Sequence, residues 1–388
     1  MATWEFPPEV AGGIAAHVDG LSHAMAVAGH DIVLLTRTHP LAAPHATVRG
    51  VRVVRADVDM PWLPEEAVIA RTASANHAFV KLAPRLGEWR PDVVHAHDWQ
   101  VAWASDALAT LFDVPLVTTL HGTERGRHGG HLPPGTPSDI NSVEWWLAFR
   151  SNRVITSTKL MVREIAGGFE LDPAVVHRIP NGIEPEWWRT DDLAAEPAIV
   201  TGDPFVFTWG RVQFEKGFQV LARAVATLRV RVPNLRCVIG GRGSYLPELQ
   251  SQIDLEGVSD IVQLPGYLSD DELRATIHRA VCVVIPSLYE PFGIVALEAL
   301  AGGAPLIVAD TGGLAELVGG TGSALLFEPG NADELAQRIE QLVTDPALAA
   351  EMRRKGAALL EATYSWDAIA ARTIDVYLDV TRSWAPAG

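Results

Sequence analysis

Two glutamates, Glu290 and Glu298, stand eight positions apart in the otherwise apolar segment "SLYEPFGIVALEALAGG". On a helix they would lie ~12 Å apart along the axis, at ~1.5 Å per residue, roughly the span of a nucleotide sugar from ribose to hexose. Between them the free N–H groups near Phe292, Gly293 and Ile294 offer a site for anions or polar oxygens. The plainer alternative is a loop acid followed by an exposed helix residue. Further upstream, "WGRVQFEKGF" places Arg211 and Lys216 around a turn after an apolar run. A guanidinium fork and an ammonium point charge there would suit a diphosphate; alone, they read equally as solvated cations.

Three weaker signals lie in the first half. Gly12 and Gly13, in "EFPPEVAGGIAAHV", would let backbone approach a phosphate or simply make a turn. "HAHDW" and "TLHG" put His95, His97, Asp98 and His121 at strand ends. They could be read as a metal cluster, but no complete ligand set at familiar spacing is present, and hydroxyl contacts fit better. "DVD" at 57 to 59 matches a short cation-binding pattern that arises easily by chance.

These residues need strands to carry them. Apolar runs at 31–36, 51–56, 92–97, 115–121 and 154–157 alternate with segments of helical period, and a second series runs through 205–210, 235–241, 261–266, 280–287, 304–310 and 323–329. Such alternation predicts an α/β protein with parallel sheets, here two doubly wound, Rossmann-like domains facing a central cleft. The expected boundaries are 1–182, with a C-terminal helix from 365 to 388 packing back on it, and 183–364; residues 190 to 204 read as an exposed connection. Only "MAT" precedes Trp4, too little for an ordinary strand of ~5 to 6 residues, so the first sheet is expected to lack most of a strand.

The length of 388 residues supports two such cores. A net charge of −16 argues against nucleic acid or anionic membrane as partner. The two cysteines, Cys237 and Cys282, sit in strand-like runs, and no apolar run is long enough to span a membrane; with no signal-peptide pattern at the N-terminus, a cytoplasmic protein is expected.

The ordered combination of motifs resembles the retaining glycosyltransferases of family four, which have the GT-B fold, over nearly the whole chain. "EFPPE", "HAHDW", "HGTERGRHGG", "WGRVQFEKG" and "SLYEPFGIVALEA" are most similar to bacterial glycogen synthases and actinobacterial α-1,4-glucosyltransferases of the maltose 1-phosphate or methylglucose polysaccharide type. The resemblance implies transfer of a glucosyl unit, with retention, from UDP-glucose or ADP-glucose to a glucan, oligosaccharide or glucose 1-phosphate. No cofactor and no essential metal are implied, and a homodimer is allowed. By the same carry-over, His121, Glu290, Arg211 and Lys216 would be catalytic. Gly12, Gly13, Tyr267, Pro291, Phe292, Gly293, Ile294, Glu298, Thr311, Gly312, Gly313 and Leu314 would join Arg211 and Lys216 in holding the donor, with Glu298 on the ribose hydroxyls. Glu5, Glu9, Asp98, Trp99 and Arg125 would meet the acceptor, and the Gly- and Pro-rich stretch 123–139 would be its mobile wall. Trp62, Trp145 and Trp146 are further flat faces for sugar, or else core aromatics. Two rivals remain: a nucleotide-sugar epimerase on the same scaffold, or a non-catalytic glucan-binding protein.

Overall fold

In the computed structural model, which describes residues 1–9, 13–58, 60–189 and 204–384, the apolar runs form parallel strands and the intervening periodic segments form helices. The chain divides into two compact units, Ile183–Ser365 and the remainder, Met1–Gly182 with the chain from Trp366 onward.

The first unit is built on β1 (Ala2–Thr3), β2 (Val33–Arg37), β3 (His45–Val48), β4 (Val51–Ala56), β5 (Val94–His97), β6 (Leu116–Thr119), β7 (Arg153–Thr156) and β8 (Val176–Arg178). Their order across the sheet is β3-β4-β2-β1-β5-β6-β7-β8. All pairs are parallel except β3 with β4. That pair forms a hairpin through Arg49 and Gly50, both at positive φ (49° and 84°), the conformation that matches the right-handed twist of its strands. Neither β3 nor β8 carries enough apolar sequence to stand out. The first strand is short but present. Ala2 pairs with both Leu35 and Ala96, Thr3 with His97, and the Met1 ammonium donates to the Val33 carbonyl at 2.7 Å. Most of a strand is indeed lacking, yet two residues suffice to join β2 to β5, and burial pushes that ammonium down to about 5.

The second unit contains β9 (Phe205–Trp209), β10 (Arg236–Gly240), β11 (Val262–Gly266), β12 (Cys282–Ile285), β13 (Leu306–Ala309) and β14 (Ala324–Phe327), in the order β11-β10-β9-β12-β13-β14. Side chains alternate across this sheet. On one face Val206 packs with Cys237, Val284 and Ile307; on the other Phe207 packs with Val238, Val283 and Val308. Each such buried side chain contributes ~1.5–3 kcal/mol. Cys237 and Cys282 are buried free thiols within this core; burial raises both, Cys282 to about 12, so neither is a nucleophile at neutral pH.

In each sheet the chain first winds one way from a central strand and then restarts on that strand's other side. The switch falls between β1 and β5 in the first unit and between β9 and β12 in the second. Loops leaving the carboxyl ends of such strands diverge and open a crevice, which is where ligands bind in doubly wound sheets. Among the described residues, no helix is long and apolar enough to cross a membrane. The C-terminal helix Trp366–Ser383 packs on the helix Gly13–Val27 within the first unit.

Candidate functional site

At the switch point of the second unit, the loop after β9 meets the loop after β12. Phe214–Lys216 form a single 3-10 turn, and the Leu288 amide donates to the Glu215 carbonyl at 2.8 Å. That seam lets Lys216 Nζ donate to Glu290 Oε2 at 2.8 Å. Ser287 Oγ donates to the same carboxylate oxygen at 3.3 Å. The pair is largely shielded, the Lys216 side chain 21% and that of Glu290 11% exposed, so it is worth more than a surface ion pair. Arg211 is exposed on the same loop, with no ion pair among the described residues.

Gly217 makes this approach sterically possible. Its φ is +70°, and a Cβ there would lie 1.9 Å from the Pro286 carbonyl oxygen. Gly217→Ala is therefore expected to destabilise the protein by at least about 2 kcal/mol, since strain at positive φ adds to a backbone clash. Chemical denaturation checks this, and an unchanged midpoint would contradict it.

Glu298 lies about one turn into the helix Ile294–Ala301, which the chain enters through Gly293 at a φ of 101°. The helix begins at Ile294 rather than at Phe292; the Phe292 side chain is in the core, leaving only its backbone for a ligand. Trp209 Nε1 donates to Glu298 Oε2 at 3.3 Å. Packing against apolar neighbours pushes the Glu298 carboxyl up to about 7, the Trp209 hydrogen bond opposing this and Asp270 adding to it. Next to this helix, Thr311 precedes the short helix Gly312–Val318, whose Gly313 amide donates to the Glu290 carbonyl at 2.8 Å. A Cβ on Gly313 would lie 2.3 Å from the Phe292 Cα, so only glycine allows the two loops to touch. Leu314 is buried. Tyr267 follows the edge strand β11 and is 62% exposed, with the Arg242 guanidinium 5.9 Å from its ring centroid.

The first unit gathers a second cluster at its own switch point. His97 ends β5, His121 follows β6, and His17 comes from the helix Gly13–Val27. His97 Nδ1 and His121 Nε2 are 3.3 Å apart, and the His17 ring centroid is 4.6 Å from that of His121. Burial holds His17, His95 and His97 well below the ordinary histidine range and pushes His121 down to about 3, so all four are neutral at physiological pH. Asp98, also buried, accepts from the His121 amide at 2.7 Å through Oδ1. That commits one of its oxygens to placing His121, and burial raises its carboxyl to about 6. Behind it Arg127 pairs with Glu124 at 3.0 Å, and Glu144 accepts the Glu124 amide through both oxygens, at 3.0 and 2.9 Å.

Several expectations change. Trp99 is 7% exposed and belongs to the core, so it has no free face for an acceptor. Trp146 likewise packs against that core, near Trp103, whereas Trp62 and Trp145 are exposed. Residues 123–139 are not one long loop: Thr123 caps a helical turn, Glu124–Arg127, and the helix Thr136–Arg150 takes the last four of them. Arg125 is exposed on that turn. Glu9 forms an ion pair with Arg37, which also covers the Trp4 ring at 4.4 Å. Glu5 is half-buried, Gly13 is exposed at its helix start, and Gly12 and Asp59 lie outside the described residues, as does most of the connection 190–204. Sequence reasoning missed His17, a single histidine in a helical segment, and also missed Trp209, Ser287 and Arg127. Only the tertiary fold shows what these four touch.

Comparison with known proteins followed the same division. The model described as "Glycosyltransferase Family 4" matches residues 11–187, and that described as "Glycosyl transferases group 1" matches residues 190–359. The chain is 37% identical to a glycogen synthase of Mycobacterium tuberculosis, over 98% of this chain and 94% of that protein. It is 29% identical to an alpha-maltose-1-phosphate synthase of the same species, over 98% of each. Among solved structures, sucrose-phosphate synthase from Thermosynechococcus elongatus superimposes with a TM-score of 0.81 at 23% identity, covering 98% of both chains.

Proposed function

Because the chain belongs to the group 1, family 4 glycosyltransferases, enzymes of the GT-B fold, we propose that it transfers an α-glucosyl unit, with retention, from a nucleoside diphosphate glucose to a glucan, oligosaccharide or glucose 1-phosphate, forming α-1,4 links. The observation that carries this reading is the Lys216–Glu290 pair at a strand switch point, on a loop that also carries Arg211. Glycogen synthase and maltose-1-phosphate synthase relatives support glucose as the transferred sugar.

In this reading Arg211 and Lys216 hold the donor diphosphate. Only one of the three ammonium protons of Lys216 is spent on Glu290, leaving two for phosphate oxygens. Two cations at one loop supply the charge compensation that a divalent metal would otherwise bring, so no metal is required. Glu298 accepts the ribose hydroxyls, the amides from Phe292 to Ile294 meet the sugar, and Thr311 to Leu314 offer backbone on the phosphate side. As the bond from the anomeric carbon to the β-phosphate oxygen breaks, charge grows on the diphosphate, and the two cations of this loop offset it. The acceptor hydroxyl oxygen bonds to the anomeric carbon on the same face. Its proton passes to the departing phosphate oxygen, so no protein nucleophile is needed. His121, neutral and held by Asp98, takes a hydroxyl of the reacting sugar.

The test offers UDP-glucose, ADP-glucose, GDP-glucose and GDP-mannose, each with water, glucose 1-phosphate, maltooligosaccharides or glycogen, and reads products by mass and anomeric NMR. An α-1,4-extended product from a glucose donor is expected. Transfer from GDP-mannose alone would overturn the substrate assignment, and a changed donor sugar without acceptor would favour an epimerase.

A further inference from the structure

His17, His97 and His121 each offer a ring nitrogen within 4.8 Å of the other two. We propose that these three imidazoles form a transition-metal site that takes Zn²⁺ or a similar borderline divalent cation, with the fourth position open to water or an incoming ligand. The spacing supports this. Two nitrogens each ~2.0–2.1 Å from a tetrahedral zinc must be about 3.3–3.4 Å apart, and His97 Nδ1 and His121 Nε2 are 3.3 Å apart. The third ligand needs only a modest approach of His17.

Burial supplies the second argument. His17 is 4% exposed and His97 fully buried. Both ring nitrogens of His17 and Nε2 of His97 have no hydrogen-bond partner of good geometry. Buried polar nitrogens are ordinarily paired, and His17, whose ring lies 4.6 Å from that of His121 with both nitrogens open, is explained by something it binds. Asn181, beside the His17 ring, is placed to accept the N–H that a metal-bound imidazole keeps. His95 is excluded from the ligand set, since Thr119 Oγ1 and the Tyr377 hydroxyl already take its two nitrogens.

The donor chemistry narrows the cation. Three nitrogens and no carboxylate disfavour Mg²⁺ and Ca²⁺, which want oxygen, and favour zinc, copper, nickel or cobalt. On binding, the metal replaces the proton shared by His97 and His121. That proton moves to the other nitrogen of the ring that donated it, so the exchange is a tautomer shift with no net proton release. The residue so engaged, His121, is the one assigned above to the reacting sugar. If that assignment holds, the metal occupies the sugar's place and inhibits transfer; the site itself does not depend on it.

Co²⁺ serves as the probe, because tetrahedral cobalt absorbs strongly in the visible. Titrated into the full-length, chelator-stripped protein, it is expected to bind with one equivalent, to show tetrahedral bands, and to be displaced by Zn²⁺. His17→Ala and His97→Ala are each expected to weaken binding at least about 100-fold, beyond the usual loss on removing an outer-shell partner. His30→Gln, at an exposed histidine, leaves it unchanged. Absence of the bands, or equal affinity in His17→Ala and the parent, would overturn the site. Should circular dichroism show that His17→Ala has lost its fold, His121→Ala takes its place, with the same two outcomes deciding. None of these readouts needs catalytic turnover, so failure of the site and failure of the glucosyltransferase reading are separable.

Discussion

Lys216→Ala is expected to lower kcat by about 10²–10³-fold, the loss typical of removing one preorganised charge-stabilising donor, while the Michaelis constant for the donor changes far less. The argument rests on rigidity. The ammonium is held by Glu290 at 2.8 Å on a turn that is pinned to the next loop through Glu215 and Leu288. A cation already oriented before charge develops on the leaving diphosphate stabilises the transition state more than the bound substrate. A change confined to the Michaelis constant would instead assign Lys216 to uniform donor binding. Since the alanine also strips a shielded carboxylate of its partner, thermal unfolding belongs beside the kinetics. A lower Tm with kcat intact would make the pair structural.

Glu298→Gln is expected to weaken donor binding by about 10- to 150-fold, the ~1.5–3 kcal/mol of hydrogen bonds to a charged group. The pH dependence separates this from a packing effect. The folded-state carboxyl titrates at about 7 rather than 4.5, chiefly through burial. Ribose hydroxyls donate best to the carboxylate, so the parent's donor affinity should rise as pH is raised through about 7, and the glutamine variant's should stay flat. Calorimetry from pH 6 to 8 reads both, and parallel profiles would refute the assignment. Folding runs the other way. Between pH 4.5 and about 7 the folded protein holds a proton that the unfolded chain has released, so stability from this residue is complete below that window and lost as pH rises through it. Asp98, at about 6, and Glu144, at about 8, are raised by burial as well and slope in the same direction. The glutamine variant should therefore show a shallower fall of Tm with pH, without abolishing it.

The strands with strong apolar runs were legible because a parallel strand buried on both faces needs uninterrupted β-branched and aliphatic residues, as in "VCVVI". The edge strand His45–Val48 was not, because exposure on one side relaxes that demand; its burial alternates between exposed and half-buried positions. Glu290, Lys216 and the glycines could be picked out since an acid or cation at the end of an apolar run has no packing reason to be there. Trp99 misled for the converse reason: a tryptophan next to strand-end histidines is chemically suited to either sugar or core, and only the packed helices around it decide for the core.

Periodicity and local chemistry, which need only neighbours along the chain, thus determined the α/β class, the two series of strands, and which polar residues end them. Tertiary structure decided what depends on long-range closure. It set which strands sit at the switch points, and it paired Lys216 with Glu290 across 74 positions and Trp209 with Glu298 across 89. It also brought His17 to His97 and His121. Contacts that distant in sequence leave no spacing to read, because strand order, rather than the length of chain between two residues, sets how close they come.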